Sequence, residues 1–316
     1  MLLATSGQPG AIPTRYAWKA RYDSVTRIRL ANFRSAQFRV GVSLSGALGL
    51  LLGTRSARAV DPFEIQVYDG TADAPGVPGL ELHVNTVPIG LPTSPSPPEY
   101  PENHQSHFTL EPSIGLFSWW ELGGYFETAL RGDQAFDYAG VKLRNKFVTP
   151  PHWNSHWRLG LNIEFSLLPQ RYDRDRWGNE LRPIVAWENE RFEFALNPIV
   201  DSSLAGPDAS AGPTFQPCLM AVYKVHEAVS FGFEYYTNLG PFSRGFLPLQ
   251  EEEHYLYAVF NLLAVKRLEL NAGVGEGFTI ESNRLVLKMI LGYTWEKDEE
   301  RVHDAPPEVT PSPSQP

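Results

Sequence analysis

From residue 105 onward the chain alternates apolar and polar positions in runs of about ten residues, each followed by a break. Over 156–167, Trp157, Leu159, Leu161, Ile163, Phe165 and Leu167 share one parity; His156, Arg158, Gly160, Asn162, Glu164 and Ser166 share the other. Side chains of a strand point alternately to its two faces, so each run predicts a strand with one apolar and one wet face. The stretch 138–147 divides the same way, with Ala139, Val141, Leu143, Asn145 and Phe147 against Tyr138, Gly140, Lys142, Arg144 and Lys146. In 284–295, Leu285, Leu287, Met289, Leu291, Tyr293 and Trp295 oppose Arg284, Val286, Lys288, Ile290, Gly292 and Thr294.

Twelve such segments are predicted: 79–87, 106–116, 119–131, 136–148, 155–167, 179–188, 191–200, 215–225, 229–238, 251–264, 266–277 and 284–295. Their length suits a tilted strand crossing a bilayer, which needs about 9–11 residues, better than a soluble sandwich strand of about 5–6. The connections alternate in length, as they do in outer-membrane barrels with short periplasmic turns and longer external loops. The external ones are 88–105, 132–135, 168–178, 201–214, 239–250 and 278–283, and the periplasmic ones 117–118, 149–154, 189–190, 226–228 and 265. Aromatic rings favour the headgroup level, and two girdles are predicted. Trp119, Trp120, Phe147, Trp157, Trp187, Tyr223 and Trp295 belong to the periplasmic one; Tyr172, Trp177, Phe215, Tyr235, Phe242 and Tyr255 belong to the external one. The fold class is therefore all-β, a transmembrane antiparallel up-and-down β-barrel of about 12 strands. Pro112, Pro183, Pro198 and Pro217 fall inside strands, where each removes a ladder donor, and are expected to mark bulges or strand ends.

The domain plan follows. Residues 1–59 read as an N-terminal extension and signal peptide, 60–78 as a periplasmic arm, plug or thirteenth segment (FEIQVYD), 79–295 as the barrel, and 296–316 as a disordered charged, then Pro/Ser-rich, tail. The apolar run VGVSLSGALGLLLG follows Arg34 and Arg39 and precedes Ser56-Ala57-Arg58-Ala59, the parts of an export signal cleaved after Ala59. The long stretch ahead of it suggests either translation starting nearer Val25 or Leu30 or a genuinely long n-region.

Charge sharpens the picture. The first 59 residues hold nine Lys/Arg and one acid, which leaves 18 bases and 35 acids beyond them. So acidic a body argues against a nucleic-acid partner. The single cysteine, Cys218, makes no intramolecular disulfide and reads as a small buried or lumen-facing residue. Facing the lumen, Lys142, Arg144, Lys146, Arg158, Arg182, Lys224, Arg284 and Lys288 meet Glu121, Glu127, Glu164, Glu180, Glu188, Glu193, Glu234 and Glu269. Mixed signs in a confined interior imply pairing, either to fill the barrel or to select a solute.

An enzyme would need a nucleophile with a base. No histidine falls on a predicted lipid face, and His104, His107 or His254 could meet Ser202 or Ser203 only at the outer rim. His104-x-x-His107 is a weak metal pair because it lies in a Pro-rich loop, and Glu251-Glu252-Glu253 reads as a solvated loop edge in preference to a divalent-cation site near lipopolysaccharide. No catalytic residue, metal or cofactor is expected.

The opening Phe63–Asn85, FEIQVYDGTADAPGVPGLELHVN, resembles uncharacterised proteobacterial outer-membrane barrels and, distantly, the putative MetA-pathway phenol-degradation family. That resemblance implies passage of aromatic or other hydrophobic compounds and carries no site residues. The resulting expectation is a passive outer-membrane channel for small molecules. Its partners would be outer-membrane lipid, lipopolysaccharide, the barrel-assembly machinery and a small solute. A non-conducting structural or surface-interaction barrel and a lipid-modifying enzyme are the alternatives.

Overall fold

The computed structural model describes residues 60–150, 152–153, 156–265 and 267–295. The signal region 1–59 and the tail 296–316 lie outside them. Twelve strands form a closed antiparallel barrel. They are β1 (Pro78–Ile89), β2 (Ser106–Phe117), β3 (Trp120–Leu130), β4 (Phe136–Val148), β5 (Trp157–Leu167), β6 (Trp177–Glu188), β7 (Phe192–Ala205), β8 (Thr214–His226), β9 (Val229–Asn238), β10 (Glu253–Val265), β11 (Leu268–Gly277) and β12 (Leu285–Thr294). Each pairs with its neighbour in sequence, and β1 closes on β12 from Gly79↔Thr294 to Ile89↔Leu285. Closure leaves no unpaired edge, the condition for strands to sit in hydrocarbon.

Burial is inverted relative to a soluble domain. Leu159, Phe165, Phe194, Leu196, Phe231 and Phe233 are exposed on the outer surface. His83, Asn85, Thr109, Glu127, Asn162 and Asn197 are almost completely buried inside. Such an apolar exterior around a polar interior, on a closed even-stranded barrel, is that of an outer-membrane protein. The end bearing the loops 90–105, 168–176, 206–213 and 239–252 is accordingly external.

Two local expectations change. Alternation in β4 breaks at a bulge, where Glu127 pairs with Gly140 and Thr128 with Tyr138. Gly140 takes φ +148, a backbone region nearly closed to other residues. The extra residue exchanges the faces, so Ala139 turns inward and Tyr138 outward, opposite to the simple parity. Pro112, Pro183 and Pro198 mark neither bulges nor ends, whereas Pro217 lies where β8–β9 pairing stops at Cys218↔Tyr236, before the shifted bridge Thr214↔Pro241. The β6–β7 ladder pairs Leu181↔Val200 and resumes at Val185↔Leu196 in the same register, with Pro183 and Pro198 in the gap. Pro112 lies in an equivalent gap between Leu110↔Phe126 and Ser113↔Gly123. Pro198 stands directly opposite Pro217. Missing N–H groups interrupt the β6–β7 and β2–β3 ladders without shifting them. β7 also runs on to Ala205, past the expected 200, which shortens the loop after it.

Candidate functional site

The lumen has two kinds of wall. Ala186, Ala195, Ile199, Cys218, Met220, Val222, Tyr236, Tyr257 and Val259, on β6 to β10, form an apolar stripe. Opposite it, β2 to β6 present an ionic face. There Arg144 bridges Glu111 (2.7 Å) and Glu121 (2.8 Å), and Lys146 reaches Glu121 at 2.8 Å.

Residues 60–77 lie inside this space as an extended arm. Its own alternation matches the two walls: Ile65 and Val67 pack in the apolar cluster, while Glu64 and Tyr68 turn to the ionic face. Phe63 meets His107 edge-on at 4.7 Å and Tyr172 at 5.7 Å. The arm runs from the periplasmic end, where Gly76 N–H donates to Gly115 O, to the external end, where Val60 and Pro62 lie beside Val87, Glu102 and Tyr255. The small cavity left beside them is about 10 Å³.

Wall side chains hold the arm by its backbone. Asn85 donates to Pro62 O, Thr109 to Phe63 O, Lys288 to Ile65 O, Arg182 to Gln66 O and Arg158 to Asp69 O. Asn197 acts as a miniature strand partner, accepting from Tyr68 N–H at 2.7 Å and donating to Tyr68 O at 2.9 Å. Among the described residues the arm's bridge to the sheet is Pro75↔Gly115, so it is bound by the barrel and is not one of its strands.

Of the expected lining charges, Lys142, Arg144, Lys146, Arg158, Glu164, Glu180, Arg182, Glu234 and Lys288 point into this interior, and each has an opposite charge. Lys142 contacts Asp61 and lies 3.7 Å from Glu64 and Glu127 and 3.8 Å from Glu164. Arg182 pairs with Glu180 at 2.6 Å and with Glu64 at 3.2 Å. Arg158 reaches Glu188 at 2.9 Å and also Glu193. Lys288 pairs with Glu234, and Arg144 and Lys146 share Glu121 as above. Arg284 differs: it sits exposed at the rim against Glu276, because it precedes the first residue of β12. Acids of the arm take part in this network, a contribution that alternation within single strands does not reveal.

The seven periplasmic aromatics gather at one end. Trp119 and Trp120 stack with Phe117 and Phe147, Trp157 pairs across strands with Trp187, Tyr223 with Phe192, and Trp295 packs on Tyr293. Of the external set, Trp177 and Phe242 are exposed, but Tyr172 and Tyr255 are buried. Tyr172 folds inward from its loop to cover Phe63, and Tyr255 shares the inward face of β10 with Tyr257 and Val259. Burial, with the Asp137 carboxylate at hydrogen-bond distance, pushes the Tyr172 phenol above the usual tyrosine range.

The rim histidines are engaged away from Ser202 and Ser203, which pair with Asn179 and Gly178. His107 Nε2 lies 3.2 Å from Gln105, and His104 Nδ1 accepts from Asn103. His254, at the outer rim, has the outward parity of β10 but is buried there, unlike exposed Leu256. Its Nδ1 is 2.7 Å from Tyr235 OH and its Nε2 2.8 Å from Glu252. Glu252 and Glu253 are buried, so the acidic run is no solvated edge.

No family model and no curated protein matches the chain. Solved barrels do resemble it. An outer-membrane channel from Pseudomonas putida F1 is 12% identical over 73% of this chain and 100% of that one, with TM-score 0.49. NanC porin is 9% identical over 69% and 100%, with TM-score 0.47. KdgM porin is 10% identical over 69% and 99%, with TM-score 0.46. The barrel assignment rests on this chain's own closed register.

Proposed function

We propose that the protein is an outer-membrane channel for small molecules whose lumen is closed, in this conformation, by its own arm. The observation that carries the reading is the way the arm is held. Side chains from many strands grip its backbone, and the sheet is complete without it. A segment attached like this can leave while the barrel stays closed. The path it would vacate has an apolar side and an ionic side, which suits solutes with a hydrophobic or aromatic body and a polar end. The resemblance of Phe63–Asn85 to barrels linked to aromatic degradation supports the same solute class.

Planar-bilayer recording tests this. The protein from Val60 onward should be mostly silent with brief openings, and a variant lacking 60–72 should conduct in discrete steps. A correctly folded variant without steps would replace the channel reading by a structural barrel, a role that the packed lumen favours.

A further inference from the structure

We propose that Glu81, His83 and Glu111 form a binding site for one divalent transition-metal ion, represented by Zn²⁺. Glu81 and His83 are two apart on β1 and so share its inward face, and Glu81 stands directly opposite Glu111 in the β1–β2 register. Two carboxylates facing each other across a ladder repel, and a cation held by both relieves that repulsion. His83 Nε2 lies 3.1 Å from Glu111 Oε2 and 3.4 Å from Glu81 Oε2, and the three donor atoms all fall within 4.8 Å of one another. Tetrahedral ligands held about 2.0–2.1 Å from zinc stand roughly 3.4 Å apart, so these spacings already approximate a coordination shell.

The surroundings fit. Arg144 holds the other oxygen of Glu111, Oε1, at 2.7 Å, which orients the carboxylate and leaves Oε2 for a metal. His83 and Glu111 are buried, whereas the Glu81 side chain keeps 26% exposure, an open side for entry. On that side the arm presents Gln66, with Nε2 3.5 Å from Glu81 Oε2. Turning that amide over brings its oxygen to the same place, as a fourth ligand. One nitrogen with oxygen donors suits zinc and its first-row neighbours, whereas calcium and magnesium favour all-oxygen sites. An occupied site would tie β1, β2 and the arm together. It does not depend on the channel reading.

The test uses the whole detergent-folded protein, stripped of metal, with Zn²⁺ titrated in competition with a chromophoric chelator. One equivalent should bind at micromolar or tighter affinity, and Co²⁺ should give the visible bands of a tetrahedral site. His83→Ala and Glu81→Gln should each weaken binding at least tenfold, with heat-modifiable migration on gels confirming that they fold. Gln66→Ala should weaken it less. Absence of binding at 100-fold the expected constant, or a folded His83→Ala that binds like the parent, overturns the site. Binding unchanged by Gln66→Ala overturns the arm's part in it.

Discussion

Asn197 illustrates how much one side chain can do in the lumen. Its amide both donates to and accepts from the Tyr68 backbone, and no apolar residue reproduces that. Asn197→Leu should weaken seating of the arm by about 1–3 kcal/mol, since two buried backbone groups lose their partner. The expected readout is faster proteolytic cleavage within 60–72 at unchanged barrel stability; equal cleavage rates would refute it. Arg182 is a harsher case. It neutralises Glu64 and Glu180 together, and Arg182→Met strands Glu180 while leaving Glu64 only the more distant Lys142 at 3.7 Å, with an expected loss of about 3–5 kcal/mol in urea unfolding from lipid vesicles. The inward placement of Arg182 was legible from parity alone. Its tie to Glu64 was not, because they are far apart in sequence and meet only once the barrel has closed around the arm.

Among the elements, β4 shows where alternation misleads. The pattern 138–147 reads as an unbroken strand, yet the bulge at Gly140 changes the face of every residue on its external side. A glycine on the supposedly wet face was the only hint. Gly140→Ala would place a Cβ about 2.7 Å from Leu168 Cγ at φ +148. The substitution should lower the urea midpoint measurably, whereas the equivalent change at Gly124, where the nearest atom is 3.2 Å away and φ is ordinary, should cost less. Similar unfolding of both variants would show the bulge to be dispensable. Strand existence, order and connection lengths were readable because twelve separate segments repeated one pattern. The course of 60–77 was not, since a short alternating run can pair as a strand or lie in a lumen, and only the two-sided interior decides between them.

For the whole molecule, the outer surface sets the environment. Leu161 lies mid-way along β5 and faces outward, so Leu161→Arg should cost about 2–4 kcal/mol when the barrel unfolds from a bilayer, and far less in detergent. Equal costs in both media would mean that this face does not meet hydrocarbon. The direction of the arm has a further consequence, for where a handle can be attached. Its residue 60 lies among the loops of the external mouth and its residue 77 at the opposite end. Anything fused directly ahead of Val60 would therefore project toward the medium, while anything fused after Trp295 would stay on the periplasmic side. A pair of epitope tags placed at these points would report from opposite faces of the membrane on intact cells, although they flank a barrel with an even number of strands.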